Sequence, residues 1–291
     1  MGLDSVGVEE VIMMPDYFGF AHKIREALNP HSLFCQIRTL DFEIKGSQED
    51  SFLAAQKMRQ EKVDCIVTLG GDGTNRVVSK GCGKIPLVAI STGTNNVFPV
   101  MNEGTTAGIA AGVLARKIVI PEEVIIPMKK ISVRVGDSEK DIALIDAVVT
   151  TEPFIGSKAI WNLEKVKQII LSQANPGSIG ISSIGAVLHP VHPRDRFGLA
   201  IELGPGGERV KAPIAPGVIA EAMVISYRVL NLGEKESIHA FPAILALDGE
   251  RELEINGADG FELKLDYDGP RFIDVSQTIR RASQSGFFRK T

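Results

Sequence analysis

The sequence is poor in the residues that would tie it to several common functions. Of its 291 residues only three are cysteine, one is tryptophan and three are tyrosine. Cys35, Cys65 and Cys82 form no CxxC pair and their number is odd. That pattern argues against a disulfide framework and denies a zinc site its usual close pairs. Cys35 and Cys65 lie inside apolar runs, where a thiol acts as a small hydrophobe. A reducing, cytoplasmic setting is expected. Excess positive charge is also missing: 32 Lys plus Arg stand against 36 Asp plus Glu, a net charge of −4. Proteins that grip nucleic acid by its phosphates carry a basic face, so no nucleic-acid partner is expected. No apolar run reaches the ~18–20 residues that span a bilayer, so no stable membrane anchor is expected. The opening MGLDSVGVEE has acids where a leader has bases, and Val6 stands where myristoylation needs Ser or Thr. There is no Walker A loop, because Gly83-Lys84 is followed by Ile85, and there is no GxGxxG.

What the sequence does contain is ordinary globular material, 44% hydrophobic and 23% charged. Its length fits one large or two modest domains. Up to about residue 120, short apolar runs alternate with helical patterns, which predicts βα units around a parallel sheet. Strands are expected at 8–14, 33–40, 63–69 and 87–90. Helices are expected at 20–28, 47–60, from the GGDGTN turn to 80, and at 103–117, where small residues call for a close neighbour. Near Pro121 the pattern changes to period two. Runs at 130–135, 143–149, 198–203, 218–229, 238–247, 252–255 and 261–266 predict an antiparallel, sandwich-like domain over 121–271. One helix is expected inside it at 159–171, with Ile160, Leu163, Val166, Ile169 and Ile170 on one face. The segment 272–291 is expected to pack back on the first domain, its last nine residues weakly held.

The strongest chemical signal is the strand that ends in Gly70-Gly71-Asp72-Gly73-Thr74-Asn75 and leads into a helix. Glycines there allow a sharp turn and close approach of a ligand, and the helix start offers free N–H groups to an anion. Asp72 suits a hydroxyl, or a divalent cation that bridges to phosphate. The plainer alternative is a tight turn with Asp72 as helix N-cap. A second loop, Ser91-Thr92-Gly93-Thr94-Asn95-Asn96, leaves the end of the next buried strand. Ligands of open α/β sheets bind outside such ends. Other clusters carry less. His189, His192 and Asp195 sit among prolines and favour a surface loop over a metal site, and Trp161 and Phe154 are expected to pack.

LGGDGTN at Leu69–Asn75 resembles the signature of the superfamily that joins NAD kinases, diacylglycerol and sphingosine kinases, and phosphofructokinases. An α/β nucleotide domain followed by an all-β domain is the arrangement of its NAD kinase and lipid kinase branches. Gly93–Phe98 is similar to the lipid kinases' GTxND segment, with Val97 in place of Asp. The run from Ser91 to Gly108 looks closer to the NAD-kinase-like acetoin catabolism protein X family. Ala143–Val149 resembles the ALNEVV strand of NAD kinases, with Ile145 for Asn and Asp146 for Glu. Pro176–Ser182 resembles their PTGSTAYS turn, with Ile181 for the aromatic. Leu247–Glu250 matches a DGE or DGQ turn of both branches; the plainer reading of Asp248-Gly249 is a hairpin turn.

The resemblance implies an ATP- and Mg²⁺-dependent kinase acting on a hydroxyl of NAD or a related small metabolite. Gly70, Gly71, Gly73, Thr74, Asn75, Thr92, Gly93, Thr94, Asn95 and Asn96 would hold the nucleotide. Asp72 would be catalytic, as a base or as a metal ligand. Asp146, Gly177 and Ser178 would bind the acceptor, and Asp248 and Glu250 are candidates for a base or a metal ligand. The alternatives are a catalytically weak nucleotide-binding accessory protein of acetoin catabolism, or a lipid kinase of the diacylglycerol type. A homo-oligomer is expected.

Overall fold

The computed structural model describes residues 1–28, 33–152, 162–257 and 260–289. The expected Phe154 and Trp161 contacts lie outside these residues. In the first part of the chain, strands Glu10–Met13 and Gln36–Thr39 pair in parallel. Strands Ile66–Gly70 and Leu87–Ser91 do the same in a second sheet. Parallel strands need crossovers, and helices Phe20–Ala27 and Asp72–Cys82 supply them, with Gln48–Gln60 leading from one sheet to the other. Helix Gln48–Gln60 begins where the sequence places a full capping box: the Ser47 side chain accepts the Glu49 N–H, and Asp50 accepts the Ser47 N–H in return.

The small-residue helix Gly104–Ala115 has the close neighbour its composition demands. It lies on the N-terminal turn Gly2–Ser5, where a Cβ at Gly2 would stand 2.4 Å from the Thr105 carbonyl oxygen. Its other side packs on helix Val275–Gln284 through Ala110, Ala111, Val113 and Ala282, all buried. Strand Arg271–Ile273 inserts beside Leu87–Ser91, parallel to it, and pairs antiparallel with Ile125–Pro127. This corrects the expectation that strands beyond about residue 121 are antiparallel only. The C-terminal segment completes this second sheet because its apolar Phe272 and Ile273 find cover there.

The remaining chain forms two antiparallel sheets. The larger has the order Val218–Asn231, Phe197–Ala215, Val166–Leu171, Asp146–Thr150, Ala243–Leu247, Glu250–Ile255. The smaller has the order Lys235–Ser237, Phe261–Asp266, Lys130–Val135, Ser138–Ala143. Ile131, Val133, Leu263 and Leu265 of the smaller meet Ala147, Val149, Leu245 and Leu247 of the larger, so alternate residues from both fill one core. The other face of the large sheet is covered by helix Ser182–Leu188.

The helix expected at 159–171 is not found where it is described. Leu163–Lys165 is a single 3₁₀ turn and Val166–Leu171 is a central strand. Ile169 and Leu171 face one core while Ile170 faces the other. A strand buried on both sides reads as a continuous apolar run, which also satisfies a helical spacing; strand partners on each side decided the outcome.

Candidate functional site

The first loop is built by close approach. Gly71 is the N-cap of the helix, with φ −97°, and Asp72 is its first residue. The plainer expectation of Asp72 as N-cap is therefore corrected. None of Gly70, Gly71 and Gly73 has a positive φ. They are required by contact instead. A Cβ at Gly70 would stand 2.6 Å from Thr74, one at Gly71 2.7 Å from Asn96 Oδ1, and one at Gly73 3.1 Å from the Glu250 carboxyl. Asn75 is fully buried and belongs to the frame: its amide donates to the Gly71 carbonyl at 2.8 Å, and the Thr68 hydroxyl donates to its Oδ1 at 2.7 Å.

The second loop adjoins the first. Asn96 donates to Ser91 Oγ at 2.8 Å, and the Ser91 hydroxyl donates to the Gly93 carbonyl at 2.8 Å. Thr92, Gly93, Thr94 and Asn95 stand exposed. The two loops are locked together by Asp72, whose carboxylate accepts the N–H of Val97 at 3.0 Å and of Phe98 at 2.8 Å.

The all-β part brings two more carboxylates to this place. Asp248 and Gly249, with φ of +51° and +80°, form the two-residue hairpin turn between Ala243–Leu247 and Glu250–Ile255. The Asp248 carboxylate points inward and accepts the N–H groups of Leu144, Ile145 and Asp146 at 2.9, 2.7 and 3.3 Å. Asp146 is buried, and its Oδ1 accepts no hydrogen bond among the described residues. Arg76, 1% exposed, reaches the same region from the helix that starts at Asp72. Its guanidinium lies 3.7 Å from Asp248, 3.6 Å from Glu250 and 3.3 Å from Asp141. Gln48 donates to Glu250 at 2.7 Å.

Burial and mutual repulsion push the carboxyl groups of this cluster upward. Burial pushes Asp72 up to about 6, against the pull of the Phe98 and Val97 N–H groups. Burial, and then the Asp72 charge, pushes Asp146 up to about 7. Asp248 is also raised, by burial first and by Asp146 second, with the Leu144 and Ile145 N–H groups opposing.

The structure thus gathers Asp72, Asp146, Asp248 and Glu250 with both glycine loops. Gly177 and Ser178 lie in a separate turn, where their N–H groups donate to Asn175. Ile145 packs with Ala89, Phe98, Leu144 and Phe272, and Ile181 packs in the core under the large sheet. His192 and Asp195 form a turn in which Asp195 accepts the His192 N–H at 2.7 Å. Lys129, pushed down to about 8 by burial, straps that turn through the His192 and Phe197 carbonyls. Among the described residues no group of three or more His, Cys, Asp or Glu is arranged to hold a metal. Sequence reasoning missed Arg76 and the N–H donors of 97–98 and 144–145. The available signal was a single cation directly after GGDGTN, beside Val77 and Val78, where a buried charge needs partners.

Comparison with known proteins agrees with this arrangement. Residues 21–118 match the ATP-NAD kinase N-terminal domain, and residues 129–268 match the acetoin catabolism protein X C-terminal domain. The acetoin catabolism protein X of Cupriavidus necator is 37% identical over 298 residues, covering 99% of this chain and 83% of that protein. An NAD kinase of Methanosarcina barkeri is 23% identical, covering 96% of each. The crystal structure of yeast NADH kinase complexed with NADH shares the fold, with a TM-score of 0.53 at 16% identity, covering 97% of this chain and 79% of that one. With an α/β domain and an all-β domain meeting at these loops, and with this degree of identity along almost its whole length, the chain belongs to the acetoin catabolism protein X family, on the fold of the NAD kinases.

Proposed function

We propose that this chain is an ATP-dependent phosphotransferase that acts on a hydroxyl of a small metabolite. The observation that carries the reading is the buried Asp146 Oδ1, which has no donor among the described residues although the charge of Asp72 bears on it. A buried carboxylate oxygen without a donor is costly unless a ligand supplies one, and an acceptor hydroxyl does so. Asp72, up to about 6, and Asp146, up to about 7, titrate in the range where a base is most effective. In this reading the exposed residues of the second loop and the free N–H groups of the first helical turn hold the nucleotide phosphates. Asp146 binds the acceptor hydroxyl, and Asp72 draws its proton or touches the metal. A carboxylate has about four lone-pair sites, so the N–H groups of Val97 and Phe98 leave Asp72 capacity for this.

Mg²⁺ carried on nucleotide phosphates needs only one or two protein carboxylates. Asp72 and Asp146 fit that need, and the ion would neutralise charge on the transferred group. NAD is disfavoured as the acceptor by Ile145 and Ile181, since both side chains are spent in apolar packing. The same two residues favour a second reading, a nucleotide-binding accessory protein of acetoin catabolism with little turnover. Among the described residues no helix is long and apolar enough to cross a membrane.

The test is ADP release from ATP and Mg²⁺ with NAD, NADH, acetoin-type diols and diacylglycerol as acceptors. Turnover with a small diol or another small hydroxylated metabolite supports the proposal. Nucleotide binding with no turnover supports the accessory protein, and turnover with diacylglycerol alone overturns both in favour of a lipid kinase.

A further inference from the structure

We propose that Asp248 is a positioning residue: it fixes Asp146 in place and couples it, through Arg76, to the helix that begins at Asp72. The inference deepens the functional reading above and rests on it for the role of Asp146.

Three consecutive N–H groups, of Leu144, Ile145 and Asp146, converge on the Asp248 carboxylate. These residues bridge the end of strand Ser138–Ala143, in the small sheet, and the start of strand Asp146–Thr150, in the large one. A chain that changes sheets has backbone donors with no ladder partner, and buried donors need acceptors. Asp248 supplies the acceptor for all three. Its own N–H donates to the Asp146 carbonyl at 3.0 Å, so Asp146 is held by Asp248 at both its N–H and its C=O. Asp248 therefore holds Asp146 by backbone and side chain together.

The tie to the other domain is Arg76. It follows Asp72 by one helical turn, lies 3.7 Å from Asp248 Oδ2, and is fixed further by Asp141 and Glu250. Asp72 opens a helix of the first domain and Asp146 a strand of the large sheet, so their separation depends on contacts between the two. The Arg76–Asp248 ion pair is one such contact, with side chains 1% and 0% exposed. The Asp248 side chain is closed off from solvent and surrounded by donors, so it is poorly placed to meet a substrate as a base. Its turn conformation alone would be met by Asn or Gly, which favour the left-handed region; an inward carboxylate is what the three N–H groups and Arg76 require.

The test is a double-mutant cycle of Asp248→Asn and Asp146→Asn, read two ways. Asn keeps the turn but removes the charge. With an acceptor that turns over, D248N should lower kcat by ~10–100-fold, the scale of an ångström-sized misplacement, while the KM for ATP stays within about twofold. The second readout needs no turnover. It is the thermal midpoint at one fixed pH. Positioning predicts coupling: D248N lowers the midpoint in the wild-type background and lowers it much less when Asp146 is already Asn. A purely structural turn residue predicts additive effects and an unchanged kcat well below the midpoint, and that result overturns the proposal. Arg76→Lys, which keeps the turn and the cation but loses the fork, should show the same coupling to Asp146 at smaller size; it replaces D248N if that variant fails to fold. Absence of turnover with every acceptor overturns the functional reading alone, because the midpoint cycle still decides the coupling.

Discussion

The N–H of Phe98 donates to the carboxylate of Asp72 across 2.8 Å, and with the neighbouring Val97 N–H it clamps the second glycine loop onto the first. A residue that stands where the superfamily signature places its acid is therefore also the mechanical link between the two loops. A variant at this position tests both roles, and stability and turnover have to be read together.

Asp72→Asn should lower turnover by ~10²–10⁴-fold, the usual worth of general acid–base help. The thermal midpoint should change little, because the amide oxygen of Asn still accepts an N–H and burial already opposes the Asp72 charge. If Asp72 touches Mg²⁺, ATP affinity falls only in the presence of Mg²⁺; if it is a base, affinity is nearly unchanged. Turnover assays, ATP titration with and without Mg²⁺ and a thermal melt on one preparation separate these outcomes. Wild-type turnover in the folded variant would remove Asp72 from the chemistry.

Asp146 makes a prediction about pH. Its folded-state pKa is raised to about 7, and that of Asp72 to about 6, so between pH 4 and 7 the native state binds more protons than the unfolded chain. Stability is then fully present below about pH 4 and is lost as pH rises through 6 and 7. Each unit of raised pKa is about 1.4 kcal/mol. Asp146→Asn should raise the midpoint more at pH 8 than at pH 5, and flatten the profile. A midpoint that climbs from pH 5 to pH 8 in the unmodified protein would contradict the raised carboxyl groups of this cluster.

Gly71→Ala probes the contact between loops. The added Cβ would stand 2.7 Å from Asn96 Oδ1, so the Asn96 side chain has to swing out and give up its bond to Ser91. Backbone φ at Gly71 is −97°, which alanine adopts freely. The expected result is a folded protein whose ATP affinity drops by about fivefold, seen in a binding titration, as the Asn96–Ser91 hydrogen bond that shapes the second loop, worth ~1 kcal/mol, is lost.

Ligand-induced stabilisation separates donor from acceptor. ATP at ~100 times its dissociation constant should add about 2.7 kcal/mol of stability. NAD at the same millimolar concentration should add far less, given Ile145 and Ile181 in apolar clusters. Ile145→Asn should not restore NAD binding and should destabilise the fold, because it places an amide among Ala89, Phe98 and Phe272. An equal shift from NAD and ATP in a thermal melt would sink the argument against NAD.

Several features were set by local sequence. The capping box at Ser47, the small-residue face of Gly104–Ala115 and the Asp248-Gly249 turn each follow from a few neighbouring residues. The two glycine loops at strand ends are likewise legible, because a buried strand must end in a loop at the sheet edge and the loop's small residues mark it. Local pattern failed at Val166–Leu171, where burial on two faces imitates a helical stripe. It also failed at Arg271–Ile273, three residues whose strand exists only because Leu87–Ser91 and Ile125–Pro127 leave a slot between them. The site shows the same division. Asp72, Asp146, Asp248 and Glu250 were all identifiable as polar residues in turn or strand-end motifs. Their convergence, the clamp of Asp72 on residues 97–98, and the cation Arg76 between the domains depend on chain segments far apart, as Gln48 and Glu250 are, 202 residues from each other. Short-range propensity acts over one turn or one hairpin. Which buried charges meet is decided by how the two domains pack, since only in the folded protein does removing water make each carboxylate depend on the donors brought to it from elsewhere.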